Sequence, residues 1–72
     1  MEVKEIIPNL NKTVTHNGSE YTLTGATIRR DKYGQIYYSA ELLDKNKNSI
    51  CIVRLEAVEI WEENISANTV TN

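Results

Sequence analysis

Residues Tyr21–Leu55, YTLTGATIRRDKYGQIYYSAELLDKNKNSICIVRL, decide the fold. Read with a period of two, they give three consecutive β-strands joined by two tight turns. Lys32-Tyr33-Gly34 suits a three-residue hairpin loop, whose last position is commonly left-handed and therefore favours glycine. That loop pairs Arg30 with Ile36, Ile28 with Tyr38 and Ala26 with Ala40, an apolar ladder on one face. A slip of one residue sets Ile28 opposite Tyr37 and mixes the faces. A second turn, centred on Asn46-Lys47, pairs Leu42 with Cys51, Ala40 with Val53 and Tyr38 with Leu55. The strands expected here are Glu20–Arg30, Gln35–Asp44 and Ser49–Leu55. Ala26, Ile28, Ile36, Tyr38, Ala40, Leu42, Cys51, Val53 and Leu55 then point to the core.

The alternation changes phase inside the first of these strands. Tyr21 and Leu23 have one parity, Ala26 and Ile28 the other, and Gly25 lies at the switch. A β-bulge or bend at Gly25 returns Ala26 and Ile28 to the core face. Upstream, Leu10–His16 alternates as a strand and Asn17-Gly18 follows. This dipeptide suits a type I′ turn, which needs positive φ at both central residues. The turn pairs His16 with Ser19, Val14 with Tyr21 and Lys12 with Leu23, and sets Leu10 on the face of Val14. In Met1–Asn9, Val3, Ile6, Ile7 and Leu10 fit a helical stripe, while Pro8 argues for an early stop. A short helical turn or extended arm is expected, with Ile6 and Ile7 packed on the domain.

Downstream, Leu55–Val58 reads as a single 3₁₀ turn and Glu59–Glu62 as a last short strand. The rival is one short helix over Glu56–Glu63. Residues 64–72 are polar and aperiodic, as a frayed tail is. The chain thus divides into an arm (1–9), a small β domain (10–63) and a tail (64–72). The expected fold class is all-β, a small SH3-like barrel of four or five antiparallel strands. The alternative is a curled four-stranded meander with a short C-terminal helix.

Composition narrows the function classes. The chain has 72 residues, so its core is small and its stability marginal. Cys51 is the one cysteine and His16 the one histidine, which excludes an internal disulfide and a Cys/His zinc site within one chain. Self-association is the compensation left. A net charge of −2 favours neither nucleic acid nor an anionic membrane. No stretch approaches the ~18 apolar residues of a membrane span, and no secretory leader is evident, so the expected location is cytoplasmic. No cofactor is implied. His16 at a hairpin tip has no nucleophile or carboxylate fixed beside it, Cys51 faces the core, and Glu62-Glu63 has no second acidic pair with which to hold a metal. The expectation is a protein that is not an enzyme, with no catalytic and no metal residues.

The surface is more informative. The registers put Thr27, Arg29, Tyr37, Ser39, Glu41, Leu43, Ile50, Ile52 and Arg54 on the outer face, which is unusually apolar at Leu43, Ile50, Ile52 and Tyr37. Either the arm or Trp61 covers that face, or the faces of the fourth strand are inverted, or it is a dimer or partner interface in which Leu43, Ile50, Ile52 and Trp61 take part. Beside it lie Arg29, Arg30, Lys32, Tyr33, Tyr37 and Arg54. Guanidinium groups beside aromatic rings suit a phosphate with a stacked base, or an acidic protein surface. The candidate anion or partner site is Arg29, Arg30, Tyr37 and Arg54. The blander alternative is a solvated turn whose charges blunt a strand edge.

The segments YTLTGATIRR, YYSAELLD and NSICIVRLEAVEI together resemble small, β-rich proteins carried by phages and mobile elements of low-GC Gram-positive bacteria. The resemblance spans about Asn11–Ile60 and transfers no residue roles. It implies an accessory protein, at work in the host cytoplasm, that binds and blocks a host component such as a defence protein or its nucleotide signal. The expectation is therefore a non-enzymatic interaction protein that forms a homodimer and binds a host protein. A sponge for an anionic nucleotide is the first alternative. A small barrel that binds single-stranded nucleic acid is the second.

Overall fold

The computed structural model describes residues 1–61. Three turns set its registers. Asn17 and Gly18 have φ of 52° and 78°, as a type I′ turn demands. They join β1 (Thr13–His16) to β2 (Ser19–Arg30), pairing His16 with Ser19 and Val14 with Tyr21. The next loop ends on Gly34 at φ 84°. The Asp31 carboxylate accepts hydrogen bonds from the amides of Tyr33 and Gln35, both at 2.9 Å. The loop leads into β3 (Ile36–Asp44), with Arg30 opposite Ile36, Ile28 opposite Tyr38 and Ala26 opposite Ala40. Asp44 repeats the device, accepting from the amides of Asn46 at 3.0 Å and Lys47 at 3.3 Å, before β4 (Ser49–Arg54). Leu42 then faces Cys51, and Ala40 faces Val53.

β4 ends one residue early. Leu55 opens a 3₁₀ turn, Leu55–Ala57, instead of pairing with Tyr38. β5 (Glu59–Ile60) then returns to β1, setting Ile60 against Val14 and Glu59 against Thr15. The chain makes a turn and a strand here, and no helix over Glu56–Glu63; positions 62 and 63, like the expected tail 64–72, lie outside the described residues. The result is one antiparallel sheet in the order β4-β3-β2-β1-β5. No ladder joins β4 to β5 among the described residues, so the sheet stays open and does not close into a barrel.

The phase change in β2 is a bulge. Leu23 faces Leu42 and Gly25 faces Glu41, which leaves Thr24 without an opposite residue. The Thr24 hydroxyl donates to the Glu41 carbonyl at 3.2 Å. Gly25 itself lies outside the left-handed region, and a methyl added there would sit 3.5 Å from the Glu41 side chain, an ordinary contact. The extra residue makes the bulge, and glycine is not sterically required.

Val14, Leu23, Ala40, Leu42, Leu55 and Val58 form the buried core, with Met1, Ile6, Tyr21, Tyr38, Cys51 and Val53 packed around it. The arm is a 3₁₀ turn, Val3–Glu5, running into α1 (Ile6–Asn9). Pro8 falls in the first turn of α1, where a missing amide hydrogen costs little. The arm lays Met1 and Ile6 on the core but leaves Ile7 80% exposed, so only one of the two isoleucines packs. Two further expectations fail. Leu10 is exposed, because Asn11 turns left-handed at φ 66° and the strand starts only at Thr13. Ala26 is also exposed, and Ile28 and Ile36 are 63% and 61% exposed, although they share the inner face. The ladder of β2 and β3 runs past the last pairs with β1 and β4, at Thr22 and Ser39. Its far end is a two-stranded ribbon whose inner face, at Ile28 and Ile36, is left largely uncovered by the described residues.

The core's confinement to one half of the sheet is testable by chemical denaturation. Leu42→Ala is expected to cost about 2–5 kcal/mol. Ile28→Ala, on the same face, is expected to cost less than about 1 kcal/mol, and Gly25→Ala to leave stability within about 1 kcal/mol.

Candidate functional site

The outer face of β3 and β4 is built by cross-strand pairs. Arg29 lies opposite Tyr37; Ser39 sits between Thr27 and Arg54; Glu41 sits between Gly25 and Ile52; and Leu43 sits between Thr22 and Ile50. Ile50 and Ile52 are 55% and 59% exposed, while Leu43 and Tyr37 are half-buried. Ser39 and Thr22 are buried among these longer side chains. The arm packs Met1 and Ile6 on the core and leaves Ile50 and Ile52 open. Trp61 is half-buried and follows β5, at the opposite edge of the sheet from β4. Of the expected interface set, Leu43, Ile50 and Ile52 therefore come together, and Trp61 lies beyond the opposite edge strand of the sheet.

The basic candidates divide in the same way. The Arg54 guanidinium stacks over the Tyr37 ring, 3.7 Å from its centroid. A second contact, 3.8 Å from Arg54 Nη1 to Glu56 Oε1, draws the same group sideways. Arg29 flanks Tyr37 from β2. Arg30 is next in the strand, so it points to the opposite face, where it pairs with Ile36. Three of the four proposed clamp residues are thus gathered, and Arg30 is not. Lys32 approaches the Tyr33 ring at 5.3 Å, a separate pair at the ribbon tip. An open groove of about 490 Å³ lies between the start of the arm (Met1–Val3) and the Tyr37–Arg54 pair, with Glu56 on its rim. Its chemistry is mixed: a cation on an aromatic ring, the carboxylates of Glu2 and Glu56, and apolar side chains that include Val3 and Ile36.

His16 has a definite structural place. Its Nδ1 lies 2.9 Å from the Ala57 carbonyl oxygen, which can only accept, so Nδ1 carries the proton. Nε2 is then free to accept from the Asn17 side-chain amide at 3.3 Å. The ring also tilts toward Tyr21, with centroids 6.2 Å apart. Both ring nitrogens are engaged, and the imidazole ties the first hairpin to the 3₁₀ turn. Cys51 is a half-buried free thiol beside the core. Among the described residues, no group of three or more His, Cys, Asp or Glu side chains is placed to hold a metal ion; the Glu62-Glu63 pair lies outside them.

Two contacts differ in how far the sequence reveals them. The Arg54–Tyr37 stack is a diagonal neighbour relation, two residues along β3 from the direct partner Ser39, and was visible in the register. The His16–Ala57 bond spans 41 positions and has no local signal. No family model matches this chain, and neither a curated protein nor a solved structure does.

A double-mutant cycle on Tyr37→Leu and Arg54→Ala is expected to give a coupling of about 0.5–1 kcal/mol, the value of an exposed cation–π pair. His16→Ala is expected to lower unfolding stability by about 1 kcal/mol, by removing the bond to Ala57.

Proposed function

We propose that the chain is a non-enzymatic interaction protein that self-associates through its β3–β4 surface and uses neighbouring surface groups to engage another component. One observation carries this reading. Ile50 and Ile52 stand side by side on the outer face, more than half exposed, on a domain whose described residues bury a core of six. A contiguous apolar patch on so small a domain is costly to leave in water. The meander, the 3₁₀ turn and the return of β5 to β1 are in keeping with an SH3-like barrel splayed open. The resemblance to phage and mobile-element proteins supplies the context: an accessory role in the host cytoplasm, blocking a host protein. Light scattering after size exclusion tests self-association. A dimer is expected for the native chain and a folded monomer for Ile52→Glu; a native monomer at high concentration removes the proposal.

A second reading rests on the Arg54–Tyr37 stack with Arg29 beside it. A guanidinium already held over an aromatic ring offers charge to a phosphate and a flat surface to a base. On this reading the chain sequesters an anionic nucleotide, which must displace the Glu56 carboxylate from Arg54. Calorimetry against cyclic nucleotides and oligonucleotides is expected to show heat that Arg54→Ala abolishes; a silent panel removes it. Single-stranded nucleic acid is the weaker form of the same idea, since these few cations make few phosphate contacts, and its binding must fall steeply with salt.

A further inference from the structure

We infer that two copies of this chain join edge to edge through antiparallel pairing of β4 with β4, continuing one sheet across the dimer. The inference rests on the self-association proposed above and names its geometry. In the sheet order β4-β3-β2-β1-β5, two strands are edges. An edge strand presents a row of unpaired amide and carbonyl groups, and proteins protect such edges by shortness, proline, lysine or bulges. β5 is protected by being only two residues long. β4 has six residues, Ser49–Arg54, an unbroken register with β3 and no proline, lysine or bulge. Among the described residues, no strand pairs with its free side.

The partner that fits is a second β4. Antiparallel pairing about a two-fold axis requires opposite residues to share a face, so the axis must pass through a residue. With the axis at Cys51, Ile50 meets Ile52 of the second copy, Ser49 meets Val53, and Arg54 meets Asn48. Two Ile50–Ile52 pairs then lie next to each other, covering the side chains that are 55% and 59% exposed in one copy. With the axis at Ile52, Ile50 instead faces Arg54, whose guanidinium is already committed to Tyr37. Charge selects the direction. Lys45 and Lys47 precede β4, and Glu56 follows it. Antiparallel pairing brings the lysine end of each copy toward the Glu56 end of the other; parallel pairing would bring lysines against lysines. Packing of outer face on outer face would cover the isoleucines but leave the backbone edge open. Edge pairing satisfies both.

The test reads amide hydrogen exchange of Ser49–Arg54 in the native chain at high and low concentration, together with its mass in solution. The expected result is a dimer in which the β4 amides not donated to β3 exchange at least about tenfold more slowly than in the dilute monomer. A dimer whose outward β4 amides stay unprotected overturns edge pairing while leaving self-association intact. A monomer in which they exchange freely overturns both. A monomer in which they are already protected means that residues 62–72 of the same chain occupy the edge, and also overturns the inference. Charge variants supply a second arm. Ile50→Lys with Ile52→Lys, and Ile50→Glu with Ile52→Glu, are expected to be monomers alone and a mixed dimer when combined, with the same outward amides protected. Absence of a mixed dimer between two folded variants overturns the inference as well.

Discussion

The unpaired residue Thr24 is the constraint on which the rest of the structure depends. A strand that obeys strict alternation cannot set Leu23 and Ala26 on one face, because they have opposite parity. By standing outside the ladder, Thr24 lets β2 keep one phase up to Leu23, where it pairs with β1 and the end of β3, and the other from Gly25 onward, where it pairs with β3. Leu23 and Val14 on one side, and Ala40 and Leu42 on the other, thereby enter the same core. Remove the bulge, and one of the two hairpins turns its apolar side to water. The Thr24 hydroxyl, bonded to the carbonyl of Glu41, holds the displaced backbone in place.

Much of this was legible in the sequence, because the information is local. Asn17-Gly18 and Gly34 name their own turns, and each turn dictates a register that the apolar ladder confirms. The bulge was legible as a break in parity, although glycine was not the reason for it. What the sequence could not reveal is where a face stops being covered. Ile28 and Ile36 have the right parity for the core and still lie in water, since burial depends on the lengths of neighbouring strands. Leu10 fails differently: a left-handed Asn11 ends its alternation with Thr13 onward. The open sheet, in place of the barrel foreseen, follows from the absence of a ladder between the two outermost strands among the described residues.

The candidate site was legible in the same uneven way. Facing and pairing placed Arg29, Tyr37, Leu43, Ile50 and Ile52 correctly relative to one another. The same alternation should have separated Arg30 from Arg29, since adjacent residues of a strand face opposite ways. Trp61 drew attention by its size, but size says nothing about which edge of a sheet a residue joins. The small core gives these surface groups their weight. With six apolar side chains buried among the described residues, each uncovered isoleucine is a sizeable fraction of the apolar material placed there.

Asp31 and Asp44 have a consequence for the order in which the molecule comes together and loosens. Each carboxylate gathers two amides of its own loop, so the β2–β3 and β3–β4 hairpins close by contacts a few residues apart. The return of β5 to β1 must instead gather chain across some 41 positions, at a greater loss of conformational freedom. Strands β2, β3 and β4 form a frame with its own fastenings, and β5 with the His16 tie is a latch set afterwards. Opening that latch would expose β1 as a new edge while the surface of β3 and β4 stayed in place.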